Sequence, residues 1–217
     1  MEIEHNYIVP PAIEVAPAWD HQIAKWVSRI LSPPLLIVIG IGLAAQAIGT
    51  SSAWLWAGLY TLLAVLLPIL YTVWKVHTGE ITDFHMKIRE QRFRPMLVML
   101  VLSVAGWLAM WIGDAPIQLT LFAGVGVFQI AFLLAVTLRW KISGHSATTA
   151  GFAIFIVALF GPVAAPVFLL IPLVAWSRIR RNRHEFTQTI AGSLAGIIYT
   201  LTALYLVHLN GVSFTLV

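Results

Sequence analysis

Residues 96–112 read MLVMLVLSVAGWLAMWI, seventeen residues without a single charge. A helix of that length rises about 25 Å, and it falls within the range of lengths that cross the roughly 30 Å hydrocarbon core of a bilayer. This stretch therefore predicts a transmembrane helix.

Similar apolar runs occupy most of the chain. The sequence is 59% hydrophobic and only 10% charged, with a mean hydropathy of +0.88. A soluble domain carries about 25% charged residues, so a water-soluble globule is excluded. We predict an all-α, polytopic transmembrane helical bundle. Its spans are predicted at 31–49, 53–74, 96–112, 117–138, 147–160, 163–176 and 188–208.

Two of these runs, 147–160 and 163–176, are near the lower length limit for crossing a bilayer. Their helices are therefore expected to extend into the adjoining polar segments. The count is seven spans, or six if these two runs form an irregular element. Residues 30–217 are interpreted as one membrane-embedded domain. Residues 1–29 are interpreted as a polar, interfacial segment in which Lys25 and Trp26 anchor a stretch along the bilayer surface.

The thirteen Lys and Arg residues lie before the first span or in alternate loops. The positive-inside rule then predicts that the N-terminus and these loops are cytoplasmic. We expect the plasma membrane of a bacterium or archaeon. The net charge of +4 is attributed to these loops, and no nucleic-acid partner is expected.

Three polar segments are predicted to meet at this membrane face. They are KVHTGEITDFHMKIREQRFRP (75–95), RWKISGHSATT (139–149) and SRIRRNRHEFTQ (177–188). They are rich in Lys, Arg, His, Ser and Gly, a set of residues that suits an anion such as phosphate. His145 and His184 can divide the work of a nucleophile and a general acid. No group of acidic residues suited to Mg²⁺ or Zn²⁺ lies beside them, so we expect chemistry without a metal or cofactor.

These segments resemble the motifs of the type 2 phosphatidic acid phosphatase superfamily, whose membrane members dephosphorylate lipids and whose soluble relatives include vanadium haloperoxidases. The first motif is Lys, six residues and Arg-Pro, which matches Lys87 and Arg94-Pro95. The second is Pro-Ser-Gly-His, which matches 142–145 except that Ile142 replaces the proline. The third is Ser-Arg, five residues, His, three residues and Asp, which matches 177–188 except for Gln188. The resemblance covers about residues 75–210.

The resemblance implies a phosphatase with a phosphohistidine intermediate. His184 would attack phosphorus, while His145 would protonate the leaving lipid oxygen and then activate water. The phosphate oxygens would be held by a set of donors from all three segments: Lys87, Arg94, Ser143, Gly144 and Arg178. The other arginines of the third segment (Arg180, Arg181 and Arg183) are expected to meet anionic headgroups or solvent.

Gln188 is the main departure from the family pattern, because the family has an aspartate there. That acid is expected on the same helical face as the histidine, where it orients the imidazole. Glu185 lies about 100° further around such a helix and cannot replace it. Three interpretations follow. The enzyme is slower, it uses Asp83 or Glu80 in place of the aspartate, or the protein has become a binding protein. We favour an active enzyme.

The bilayer and a lipid phosphate are the expected partners. A polyprenyl phosphate or diphosphate is slightly favoured, since the chain has no extramembrane domain to recognise a large headgroup. Phosphatidate and phosphatidylglycerol phosphate remain alternatives, as does transfer of the phosphate to an alcohol. A transporter or channel is disfavoured, because the span interiors carry essentially no charge.

Overall fold

The computed structural model describes residues 19–84, 88 and 90–209, and within these ranges the regular structure is helical. We number eight helices in chain order. They are α1 (Trp19–Ile30), α2 (Pro33–Ile48), α3 (Ser51–His77), α4 (Glu90–Ile112), α5 (Ile117–Thr137), α6 (Gly144–Phe160), α7 (Pro162–Arg180) and α8 (Phe186–Leu209).

Prolines and caps set several helix ends. α2 starts after the extended residue Ser32 with prolines in its first turn, and it ends at Gly49, whose φ of 72° favours glycine. The Thr50 hydroxyl caps α3 by accepting the Ala53 N–H at 3.2 Å. The first half of α7, Pro162–Leu169, is wound as a 3₁₀ helix that contains Pro166. Proline lacks the N–H that a regular α-helical turn requires.

Five helices (α3, α4, α5, α7 and α8) are long and apolar enough to cross a membrane. The pair α1 and α2, bent by 43° at their junction, adds a sixth candidate span. The predicted polytopic membrane bundle is thus confirmed. A seventh span requires α6, an apolar helix of 17 residues, to cross as well, and this stays a prediction.

The two short apolar runs do extend into polar segments, as expected. α6 begins at Gly144 rather than at 147, and α7 continues to Arg180 rather than ending at 176. Tryptophans lie near both ends of the long helices, as interfacial aromatics do in membrane proteins. At one end are Trp54, Trp107 and Trp111, and at the other are Trp74, Trp140 and Trp176.

α6 lies in the middle of the bundle, where it packs against α2, α7 and α8. Its inward positions Ala147, Ala150 and Ala153 are fully buried. Small side chains let helix backbones approach closely, which is the usual basis of packing inside a membrane. Large apolar side chains such as Leu55 and Trp111 are exposed on the outer surface, where lipid would contact them. Of the predicted interfacial segment, residues 1–18 lie outside the described residues.

Candidate active site

Three helix ends meet at one end of the bundle: the start of α6, the end of α7 and the start of α8. Backbone hydrogen bonds join them. The Arg178 carbonyl accepts the N–H groups of Arg183 and His184, at 3.0 and 3.4 Å, and so ties the turn after α7 to the helix end. The Gln188 carbonyl accepts the Ser143 N–H at 3.2 Å. The second and third polar segments are therefore brought together, as predicted.

Glycines on α8 make this approach possible. A Cβ atom at Gly192 would overlap the carbonyl oxygen of Ser143, and one at Gly196 would overlap that of Ala147. The backbones of α6 and α8 are thus in direct contact over more than one helical turn. This contact holds the Ser143 cap of α6 beside Gln188.

His184 is buried and lies in the turn before α8 rather than on a helix. The expectation that it shares a helical face with residue 188 is therefore wrong. Gln188, in the first turn of α8, instead reaches back, and its Oε1 lies 3.0 Å from His184 Nδ1. The same oxygen accepts the Glu185 N–H at 3.4 Å, which identifies it as the carbonyl end of the amide.

This hydrogen bond favours the tautomer of His184 that carries its proton on Nδ1. A carbonyl oxygen is an acceptor only, so the ring proton lies on Nδ1 and the Nε2 lone pair is left for attack. Burial lowers the pKa of His184 to about 3, and the charges of Arg178, Arg92 and Lys141 act in the same direction. The Gln188 hydrogen bond opposes this shift without overcoming it. The imidazole is therefore neutral at physiological pH.

The start of α6, which is bonded to the Gln188 backbone through the Ser143 N–H, presents further donors. Ser143 is fully buried, and its Oγ accepts from the Ser146 N–H at 3.3 Å and from the Ser146 hydroxyl at 3.0 Å. Its own hydroxyl hydrogen is then left to donate elsewhere. Gly144 and His145 follow as the first two helical residues, with the Nε2 atom of His145 buried. The N-terminus of a helix of 17 residues favours an anion.

Arg178 is the largest of the fully buried side chains in the described part of the chain, with 2% of its surface exposed. Its Nη1 donates to the Ser28 hydroxyl of α1 at 2.7 Å. Its Nε is buried and has no hydrogen-bond partner among the described residues. A buried cationic donor without an acceptor is costly, so this edge of the guanidinium is suited to an anionic ligand.

The neighbouring arginines differ from the expectation that they meet headgroups or solvent. Arg180 forms a two-point ion pair with Asp20 of α1, at 2.7 and 3.1 Å. Arg183 Nη1 lies 3.3 Å from Asp83 Oδ1. These charges are paired with carboxylates of distant segments, which local sequence does not reveal.

The first polar segment is less closely joined to the cluster. Lys87 lies outside the described residues. The Arg94 side chain is 79% exposed, and its Nη1 lies 3.8 Å from Glu80 Oε2. Arg92, which matches no motif position, is close enough to influence the charge of His184. Its only sequence signal was its place two residues before Arg94.

The acids considered as substitutes for the family aspartate are both paired with cations in the described part of the chain. The Lys75 ammonium lies 2.6 Å from Glu80 and holds the pKa of that carboxyl below its usual range. Asp83 pairs with Arg183. Glu185 is exposed. Within the described ranges, no three His, Asp or Glu side chains are grouped as metal ligands would be.

An apolar cavity of about 250 Å³ begins beside this cluster. Gly144 lines it at the site end, and Phe155 and Leu204 line it deeper in the bundle. Its wall on α5 runs from Leu133 to Leu121, a distance of about 18 Å at the helical rise per residue. The cavity is therefore long enough to accommodate part of a hydrocarbon chain.

A sequence model of the PAP2 superfamily matches residues 53–211, well over half of the chain. The matched range contains all three polar segments and leaves out α1 and α2. No curated protein and no solved structure matches the chain.

Proposed function

The chain belongs to the PAP2 superfamily, whose members are generally phosphatases, and on that premise we propose that it hydrolyses a membrane lipid phosphate through a phosphohistidine on His184. The observation that carries the proposal is the hydrogen bond between His184 Nδ1 and Gln188 Oε1 at 3.0 Å, beside the buried Arg178. It leaves Nε2 of a neutral imidazole as the nucleophile.

In the first step, Nε2 of His184 forms a bond to phosphorus in line with the breaking bond to the lipid oxygen. The ring becomes cationic, and Gln188 keeps the Nδ1 proton in place. His145 donates a proton to the departing oxygen, which leaves as an alcohol. In the second step, His145 removes a proton from the water that attacks the phosphohistidine, and inorganic phosphate departs.

Donors from two helix ends would hold the phosphate oxygens as charge develops on them. These are the Nε edge of Arg178, the Ser143 hydroxyl and the Gly144 N–H at the start of α6. Lys87 and Arg94 remain predicted ligands on the strength of the family motif. Arg94 would first have to leave Glu80.

A lipid substrate is supported by the cavity that starts at Gly144, because an acyl or prenyl chain can extend along it while the phosphate stays at the site. A polyprenyl phosphate or diphosphate is our preferred class. Arg181, like Arg178, has a buried nitrogen without a hydrogen-bond partner in the described part of the chain. A terminal diphosphate offers acceptors for both.

The proposal is tested by phosphate release from a panel of lipid phosphates in detergent without added metal. Activity should vanish in His184→Ala and persist in His77→Ala, which changes an exposed histidine at the end of α3. Label from a ³²P-lipid should be trapped on the wild type in an acid-labile form and be absent from His184→Ala. If neither the wild type nor Gln188→Glu releases phosphate from any of the lipids, the hydrolase proposal is wrong.

A second candidate is a lipid phosphotransferase, in which an alcohol replaces water in the second step. The same trapped intermediate supports it, since the phosphohistidine is common to both reactions. Adding a lipid alcohol to the labelled enzyme separates them: label appears in a new lipid if the enzyme is a transferase, and in inorganic phosphate if it is a hydrolase. A family member that only binds lipid phosphates would show neither product.

A further inference from the structure

α1 is a two-faced helix. Asp20, Ala24 and Ser28 recur every four residues and face α7, with Ala24 and Ser28 fully buried. Trp19, Ile23, Trp26 and Ile30 form an exposed apolar stripe on another side. One side of the helix therefore docks on the bundle, and the exposed stripe is free for lipid.

The docked face reaches the end of α7 at two points. Asp20 holds Arg180 through the two-point ion pair, and two helical turns later Ser28 accepts the Nη1 hydrogen of Arg178. These contacts join residues 150 or more positions apart in sequence. The ion pair between Asp20 and Arg180 positions α1 on α7, and this places the Ser28 hydroxyl against Arg178.

We propose that Ser28 is a positioning residue for phosphate binding, which acts by holding Arg178. This inference rests on the proposed function. The Ser28 hydroxyl accepts a hydrogen bond from Nη1 of the guanidinium. The other edge of the guanidinium, which carries Nε, is left to bind a phosphate oxygen. Guanidinium is planar, so fixing Nη1 also fixes the direction of the Nε–H. Serine is neutral, so it orients the cation without cancelling the charge that the phosphate requires.

α1 lies outside the residues matched by the family. In this proposal, the phosphate site is therefore completed by a helix that lies outside the region matched by the family. Ser28 does not touch the substrate; its effect reaches the phosphate only through Arg178.

The test measures binding of inorganic phosphate and orthovanadate to the full chain in detergent, alongside lipid-phosphate turnover. Ser28→Ala should weaken the binding of both anions about tenfold or more, which is the effect expected from losing a hydrogen bond to a charged group. It should lower kcat/KM by a similar factor. Ser28→Thr, which keeps the hydroxyl, should restore most of the affinity. The control is Ser193→Ala, which removes a hydroxyl that donates within α8, to the Thr189 carbonyl at 3.0 Å.

Asp20→Asn provides a second variant, because a weaker hold on Arg180 should also reduce anion affinity. Ser28→Ala leaves a buried guanidinium nitrogen without its acceptor, so it should melt below Ser193→Ala. Anion binding is therefore measured well below the melting temperature of each variant, where the folded Ser28→Ala protein should still bind the anions more weakly than Ser193→Ala does. If Ser28→Ala binds both anions as the wild type does, this inference is overturned while the proposed function stands. If the wild type neither binds phosphate nor releases it from lipids, the proposed function itself fails.

Discussion

Replacing Gln188 with glutamate adds a negative charge to the His184 site while keeping the length of the side chain. Gln188 Oε1 lies 3.0 Å from His184 Nδ1, and a glutamate oxygen can occupy the same position. Aspartate, which the family motif has, is one methylene shorter. Its carboxylate would reach His184 only if the first turn of α8 moved. Gln188→Glu is therefore the better test of charge alone.

The size of the effect follows from the geometry. A charge about 4 Å from another contributes about 4 kcal/mol at an effective dielectric constant of 20. That is enough to return the pKa of His184 from about 3 to near its ordinary value of about 6.5. The direction is upward, because a carboxylate stabilises the protonated imidazolium. In the wild type His184 stays neutral down to about pH 4, whereas in Gln188→Glu it gains a proton, and loses its nucleophilic lone pair, below about pH 6.

The same charge should raise the rate at alkaline pH. The imidazole becomes cationic as it bonds to phosphorus, so a carboxylate stabilises the transition state more than the ground state. We expect kcat at pH 8 to rise about tenfold or more, because each ~1.4 kcal/mol by which the carboxylate stabilises the transition state over the ground state raises the rate tenfold. Gln188→Glu should therefore be faster than the wild type at pH 8. As the pH is lowered, its activity should begin to fall at a higher pH than that of the wild type.

The assay is the dependence of kcat/KM on pH between 4 and 9. Substrate phosphate also titrates near pH 6, but this contribution is common to all variants and cancels when they are compared. Thr187→Glu is the control, since it adds the same charge at an exposed neighbour. If Gln188→Glu and Thr187→Glu shift the acid limb equally, Gln188 does not control the nucleophile and the assignment of His184 fails.

Three further predictions concern the helix contact, the cavity and the arginines. Gly192→Ala should lower stability by about 1–3 kcal/mol and reduce turnover, because its Cβ would overlap the backbone carbonyl of the α6 cap; thermal melting checks this against Gly42→Ala, which has open space. Thr148→Phe should raise KM for long-chain lipid phosphates but not for a small soluble phosphate ester, since Thr148 lines the cavity. Arg178→Ala should weaken phosphate binding far more than Arg94→Ala, because Arg94 is largely exposed; equal losses in direct binding measurements would contradict this.

The long apolar helices were predictable because hydropathy is a local property. The run predicted at 117–138 is the helix Ile117–Thr137, and the one predicted at 53–74 lies within Ser51–His77. The meeting of the second and third polar segments followed from the parity of the spans, since alternate loops share a face. Composition and spacing were sufficient for these features.

Other features depend on tertiary contacts that no local pattern encodes. The residue pair 184 and 188 has helical spacing, yet the chain turns before α8, and the hydrogen bond forms from the turn to the helix. The contact of Ser28 with Arg178 depends on how α1 docks. Gly192 was one small residue among many in an apolar run, and its importance appears only when the carbonyl of Ser143 is placed against it.

The arginines of residues 178–183 fall into two classes, and the division bears on where the phosphate binds. Arg180 and Arg183 are paired with the carboxylates of Asp20 and Asp83, and these pairs tie α1 and the first polar segment to the end of α7. Arg178 and Arg181 instead keep a buried nitrogen without a partner in the described part of the chain. A cation buried without a counter-charge destabilises the empty site, and an anion that binds there relieves this cost. Phosphate should therefore stabilise the protein against thermal unfolding, and Arg178→Ala should remove most of that stabilisation.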